Sequence, residues 1–275
     1  MTELVMTRLY ELMIILYGLC IVLYFTDYLY KNVKFRRVAF WFVSIVWILQ
    51  ILFIVLFIFE TKRFPILSLY EGVFFYAWLL TTLSIVLHCI ARVDLPVFFI
   101  NVLSFIFMTI HLFAPQSNAQ IVSDSLVSEM LLIHISFAIM SYAAFSVAFV
   151  FSLLYIILYR ILKRKKLNNL WSRLPSLQQM VKWINLSTII GIPLLLISLI
   201  LGLEWAFLTL ENVSIFDVKI LGSFIVSVIY LIIFLLHQRG RLVGTTYAQV
   251  HVGLFLLVVI NFFLGSKLSN FHLWV

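Results

Sequence analysis

Charge and helix breakers are what this sequence has least of. Only 11% of its 275 residues are Asp, Glu, Lys or Arg, and it holds 5 prolines and 9 glycines. A water-soluble domain carries about a quarter charged residues. At 64% hydrophobic and a mean hydropathy of +1.16, the chain has no polar shell with which to enclose an apolar core, which excludes a soluble globular protein. Cysteine is equally scarce. Cys20 and Cys89 stand in separate hydrophobic segments without CxxC or Cys/His spacing, so a disulfide framework and a thiol relay are excluded and both are expected to be buried small residues. A nucleophile elbow, a phosphate loop, an HExxH helix and a CxxCH attachment motif are all missing, and the chain is not expected to be an enzyme. Acidic residues number 11 against 19 Lys and Arg, a net charge of +8. Those cations are divided among short connections and form no continuous basic face, so no nucleic-acid partner is expected. The N-terminal MTELVMTRLYELM lacks a small-residue cleavage site, and the first hydrophobic segment is expected to stay in the mature protein.

What the chain does have is apolar runs. A hydrocarbon core about 30 Å thick needs roughly 20 helical residues, and such runs recur near 9–28, 38–59, 68–90, 95–114, 129–160, 184–208, 218–237 and 246–266. None alternates as a barrel strand would, and lipid admits little else besides helices. The fifth run is too long for a simple span and is expected to tilt or project as a continuous helix. Placing the N-terminus outside puts 14 of the 19 Lys and Arg residues on the cytoplasmic side and leaves Arg8, Lys62, Arg63, Lys219 and Lys267 outside, a positive-inside distribution. The expected fold is an all-α integral membrane protein: one bundle of about eight transmembrane helices over 1–275, in contact with membrane lipid, both termini outside, multi-pass in the cell (plasma) membrane.

Polar residues inside such a bundle need a reason. Topology sorts the six histidines into His111, His134 and His272 at the outer side and His88, His237 and His251 near the inner side. Each can be an interfacial or hydrogen-bonded histidine, or a ligand. Glu71, about one turn inside the third span, needs a donor or a proton unless it sits at headgroup depth near Lys62 or Arg63. The outer connection GLEWAFLTLENVSIFDVK is itself apolar, suited to an aromatic belt in the interface or to covering a hydrophobic ligand. In the fifth span Ser141, Ala144 and Ala148 form a small-residue ridge that permits close helix packing.

The strings SLYEGVFFYAW at 68–78, HISFAIMSYAAF at 134–145, RLPSLQQM at 173–180, GIPLLLISLILGLEWA at 191–206, LLHQRGR at 235–241 and FHLW at 271–274 occur in an order that resembles the CcsA family of cytochrome c assembly membrane proteins over roughly 65–275. The resemblance implies haem b as cofactor, with His134 and His272 as axial ligands to its iron and His237 as a third, inner histidine. Two neutral imidazoles satisfy both axial positions of haem. The family's outer tryptophan-rich loop has the form GxxWAxxxWGxxWxWDPK. Here Gly202, Trp205, Ala206, Asp217 and Lys219 match, while Leu210, Glu211, Ser214, Phe216 and Val218 replace Trp, Gly, Trp, Trp and Pro. With this departure the chain is most similar to the HemX-like branch of the family, found in Gram-positive bacteria.

That branch implies a protein that handles or senses haem and negatively regulates haem biosynthesis through glutamyl-tRNA reductase levels. Glutamyl-tRNA reductase, or another cytoplasmic haem-biosynthesis protein, is then the expected partner, and the basic connection 160–182 the surface large enough to dock it. One alternative is a CcsA-type component that delivers haem for cytochrome c assembly. Another is a proton-coupled small-molecule transporter using Glu71 and the intramembrane histidines. Under the haem readings His134, His272, His237, Trp205, Asp217 and Glu71 are the candidate cofactor-binding residues, with Lys219 beside them.

Overall fold

The computed structural model describes residues 2–91, 93–112, 128–165, 174–209 and 216–268. Every regular element among them is an α-helix: α1 (Thr2–Tyr30), α2 (Val33–Thr61), α3 (Leu69–Ala91), α4 (Asp94–Leu112), α5 (Glu129–Lys163), α6 (Leu177–Thr209), α7 (Val218–Gln238) and α8 (Gly244–Leu268). Seven are long and apolar enough to cross a membrane, and the remaining one, α4, is a shorter apolar helix. Its 19 residues still extend about 28 Å at 1.5 Å per residue, close to the hydrocarbon thickness. The chain is an all-α, multi-pass membrane protein.

Helix starts follow capping chemistry, which is where they depart from the expected spans. The side chain of Asn32 accepts the Lys34 N–H at 3.0 Å and starts α2 at Val33, before position 38. Ser176 and Gln179 exchange reciprocal side-chain to backbone bonds of 3.1 and 3.2 Å, a capping box that starts α6 at Leu177 rather than 184. The basic connection expected over 160–182 is shorter accordingly, because α5 runs to Lys163. As expected, α5 is one continuous helix of 35 residues.

Two compact units divide the helices, α1–α4 and α5–α8. In the first, α1 buries Tyr10, Met13, Tyr17, Cys20, Tyr24 and Asp27 while α2 buries Ala39, Val43, Val46, Gln50 and Phe53. Both sets advance by alternating three- and four-residue steps, the seam along which two nearly parallel helices pack. Ile15, Val22, Trp41 and Ile48 are exposed on the other faces, where lipid solvates them. Inside, the Tyr17 hydroxyl donates to Asn101 Oδ1 at 2.9 Å and meets Thr81 Oγ1 at 3.1 Å, Thr81 meets Ser104 Oγ at 3.0 Å, and Ser84 donates to Asn101 at 3.1 Å. Cys20 is buried as expected, but Cys89 is exposed, since it follows the part-buried His88 onto the outward face of α3.

In the second unit α5 is the central member, packed on α6 and α8, with α7 against α6 and α8. Its Ser141, Ala144 and Ala148 are buried, so the small-residue ridge is a packing surface. A Cβ placed on Gly191 of α6 would stand 2.5 Å from the Phe145 ring; glycine there lets the two helices close up. Phe145 in turn stacks on Tyr230 of α7 at 4.0 Å and 12°.

Candidate functional site

His134 lies in the second turn of α5, after Ser128 has capped the helix by accepting the Leu131 N–H. Its Nδ1 sits 2.6 Å from the backbone carbonyl oxygen of Ser198 on α6. A carbonyl can only accept, so Nδ1 carries the proton and Nε2 is left with its lone pair. The Ser198 hydroxyl donates to the His134 carbonyl oxygen at 2.9 Å and also touches Nδ1 at 3.1 Å, which fixes both ring and backbone. One turn along α6, a Cβ on Gly202 would fall 2.5 Å from Cε1 and 2.6 Å from Nδ1 of the imidazole. Glycine is required at 202 because the ring occupies that space. Among the described residues no hydrogen bond reaches His134 Nε2.

Ser198, Gly202 and Trp205 recur at four- and three-residue spacing, so they share one face of α6, and Trp205 is buried. Beyond it Phe207 and Leu208 are exposed, as is Phe216 on the far side of the connection. Asp217 is buried and caps α7, its carboxylate accepting the Lys219 N–H at 2.9 Å, the structural role open to it in the sequence. The Lys219 ammonium acts electrostatically on both Asp217 and His134. The structure thus gathers His134, Trp205, Asp217 and Lys219 at one end of the second unit. His272 lies outside the described residues, as do 210–215 of the connection, and the His111 side chain is likewise not described.

Glu71 answers to a different need. Arg63 donates to both its oxygens at 2.7 and 2.8 Å, and the Leu67 and Ser68 amides add bonds of 3.0 and 3.3 Å. The Glu71 amide donates back to Ser68 Oγ at 3.2 Å. Ser68 and Glu71 form the capping box of α3, and the carboxylate is fully engaged in pinning the 62–68 turn. The donor it needed is Arg63.

The inner histidine sits on the α7–α8 turn. Gly240, at φ +68°, closes α7 with bonds from its amide to the His237 carbonyl and from the Arg241 amide to the Leu236 carbonyl, the Schellman pattern that glycine permits. The reversal brings the Leu242 carbonyl back to accept from His237 Nδ1 at 2.7 Å. The His237 ring lies flat on Tyr247 at 3.9 Å and 10°, and Tyr247 is anchored through its hydroxyl to Asn185 Oδ1 at 2.7 Å. One turn further along α8, His251 is 1% exposed with neither ring nitrogen hydrogen-bonded. Among the described residues no cluster of three or more His, Cys, Asp or Glu side chains could cage a metal ion.

Ser198 escaped the sequence reading because nothing local marks a serine whose carbonyl serves another helix. Gly202 was visible as a motif match without its reason. The Ser68–Glu71 box was legible as S-x-x-E ahead of an apolar run.

Comparison with known proteins gives a consistent pattern. Residues 66–272 match the family model described as cytochrome C assembly protein. The chain is 43% identical over 273 residues to Protein HemX of Bacillus subtilis (strain 168), covering 99% of each. It is 37% identical over 266 residues to Protein HemX of Brevibacillus brevis, covering 97% of each.

Proposed function

Because the chain belongs to the cytochrome c assembly protein family, in company with relatives named HemX along nearly its whole length, we propose that it is a membrane protein that handles or senses haem and thereby restrains haem biosynthesis through glutamyl-tRNA reductase levels. The observation that carries the haem reading is the His134 imidazole. Its proton is committed to the Ser198 carbonyl, its position is cut into α6 at Gly202, and its Nε2 is the open donor. Metal-ligating histidines are oriented in this way, with the far ring N–H held by a carbonyl or carboxylate.

The residues present fit haem. A planar macrocycle supplies four equatorial ligands of its own and asks the protein for one or two axial imidazoles and an apolar wall. His134 and, as the resemblance implies, His272 would hold the iron, Trp205, Phe207 and Phe216 would supply apolar surface, and Lys219 would supply a cation for its carboxylates. Haem bound there is a resident sensor or a cargo, and the chain acts by binding rather than by catalysis. Glu71 is engaged by Arg63 and two amides, which disfavours a proton-coupled transporter that uses this carboxylate. Delivery to apocytochrome, the alternative use of the same site, is disfavoured by the loop, where Trp205 is the sole tryptophan at a motif position.

Absorption spectra of the detergent-purified protein, oxidised and reduced, test the site. Wild type should give a low-spin bis-histidine haem spectrum that His134→Ala and His272→Ala each lose or alter, while His111→Ala keeps it. An absence of haem in every sample after added hemin would sink the reading. In a deletion strain, accumulation of glutamyl-tRNA reductase with normal covalent cytochrome c separates regulation from delivery.

A further inference from the structure

Two glycines at the outer end of the second unit make room for a polar side chain from a facing helix. Gly202 admits His134 and belongs to the site already described. The other is Gly222 on α7, where a Cβ would overlap Oδ1 of Asn261 from α8. No positive φ calls for glycine at 222; the space is what the asparagine occupies. Asn261 Nδ2 donates to Ser223 Oγ at 2.9 Å. Ser223 is buried and is also hydrogen-bonded to the Tyr142 hydroxyl of α5. Phe262, next along α8, meets the Tyr142 ring edge-on at 5.9 Å and 79°. A single seryl hydroxyl therefore joins α5, α7 and α8. Between helices in lipid, hydrogen bonds and close approach at small residues decide the seating.

Lys219 precedes Ser223 by one turn on the same face of α7, and its ammonium acts electrostatically on His134. A lysine is a point charge on a flexible stem, so its aim depends on where its helix is seated. We propose that Asn261, Ser223 and Gly222 are positioning residues of the outer site: by seating α7 against α8 and α5 they hold Lys219 where it selects a ligand with carboxylates at its edge. This rests on reading the outer site as a haem site. What it adds is a specificity, free propionates over their esters, and residues that enforce it through Lys219.

The test compares hemin with hemin dimethyl ester on the full chain in detergent, as a ratio of affinities in which a general loss of folded protein cancels. Wild type should prefer the free acid by about tenfold, the scale of one charged hydrogen bond. Lys219→Gln, Asn261→Leu and Gly222→Ala should each lose most of that preference, and Asn261→Leu with Lys219→Gln should lose no more than Lys219→Gln alone. Ser223→Ala should follow them, while Ser223→Thr, which keeps the hydroxyl, should stay near wild type. In the unloaded protein, acylation of Lys219 by a water-soluble reagent should be several-fold faster in Asn261→Leu, with the exposed Lys62 labelled at an unchanged rate. Equal affinity of wild type for acid and ester, an undiminished preference in Asn261→Leu, or losses that add in the double variant would each overturn the proposal. If wild type bound neither macrocycle, the haem reading would fail, and the acylation rates would still decide whether Asn261 places Lys219.

Discussion

In the first unit one set of side chains closes on itself, Tyr17 on Asn101 and Thr81, Thr81 on Ser104, Ser84 on Asn101, Arg63 on Glu71, although the Tyr24 hydroxyl and Gln50 Oε1 are left without a partner. In the second unit the imidazoles between helices stay partly open, His134 and His237 with one nitrogen committed and the other free, His251 with both unpartnered. The contrast separates two uses of polarity in lipid. A closed network holds helices in register; an imidazole with one nitrogen fixed and the other free is set up to receive something. Among the described residues the first unit has one imidazole with an unbonded nitrogen between helices, His88, stacked on Phe40 at 4.4 Å.

The comparison can be broken by substitutions that ask each unit for stability and for haem. The largest effect is expected at Gly202→Val: the new side chain displaces the His134 ring, which should abolish the outer low-spin spectrum and lower stability by about 1–3 kcal/mol, as overpacking does. Next, His134→Ala should reduce hemin affinity at least tenfold in a titration, with little change in thermal unfolding of the unloaded protein. Asn101→Leu in the first unit should show the inverse, about 2 kcal/mol less stable because its partners are left unsatisfied, with hemin titration unchanged. Arg63→Ala should cost about 1–2 kcal/mol in the same unfolding measurement, the scale of a charged hydrogen bond, again without touching haem. Smallest is Asp217→Ala, about 1 kcal/mol for a lost helix cap, nearly recovered by Asp217→Asn. A change in hemin affinity on replacing Asn101 or Arg63 would erase the distinction between the units.

Much of the architecture could be read from the amino acids because lipid demands length: each of the eight apolar runs yielded a helix among the described residues. The starts of α2 and α6 were harder, since Asn32 and Ser176 act through local bonds that hydropathy does not register. Which face of α1 or α2 turns inward was hidden as well. When lipid is as apolar as leucine, Ile15 and Met13 look alike in sequence, and Tyr17, Gln50 and Asp27 mark the interior. At the site, His134, Trp205, Asp217 and Lys219 came from ordered motif matches and are brought together. Ser198 and His251 had no such signal, because their meaning depends on another helix.

Helices α5 and α6 pack as a pair of unequal compliance. The 35 residues of α5 contain neither glycine nor proline, whereas α6 carries Gly191, Pro193 and Gly202. Proline withholds one rung of the backbone ladder, and bends in helices concentrate at such places. A load applied at His134 is therefore borne by a stiff rod on one side and absorbed by a jointed one on the other. Motion in the pair is expected to gather near Pro193, roughly midway along α6, where backbone hydrogen exchange should be fastest.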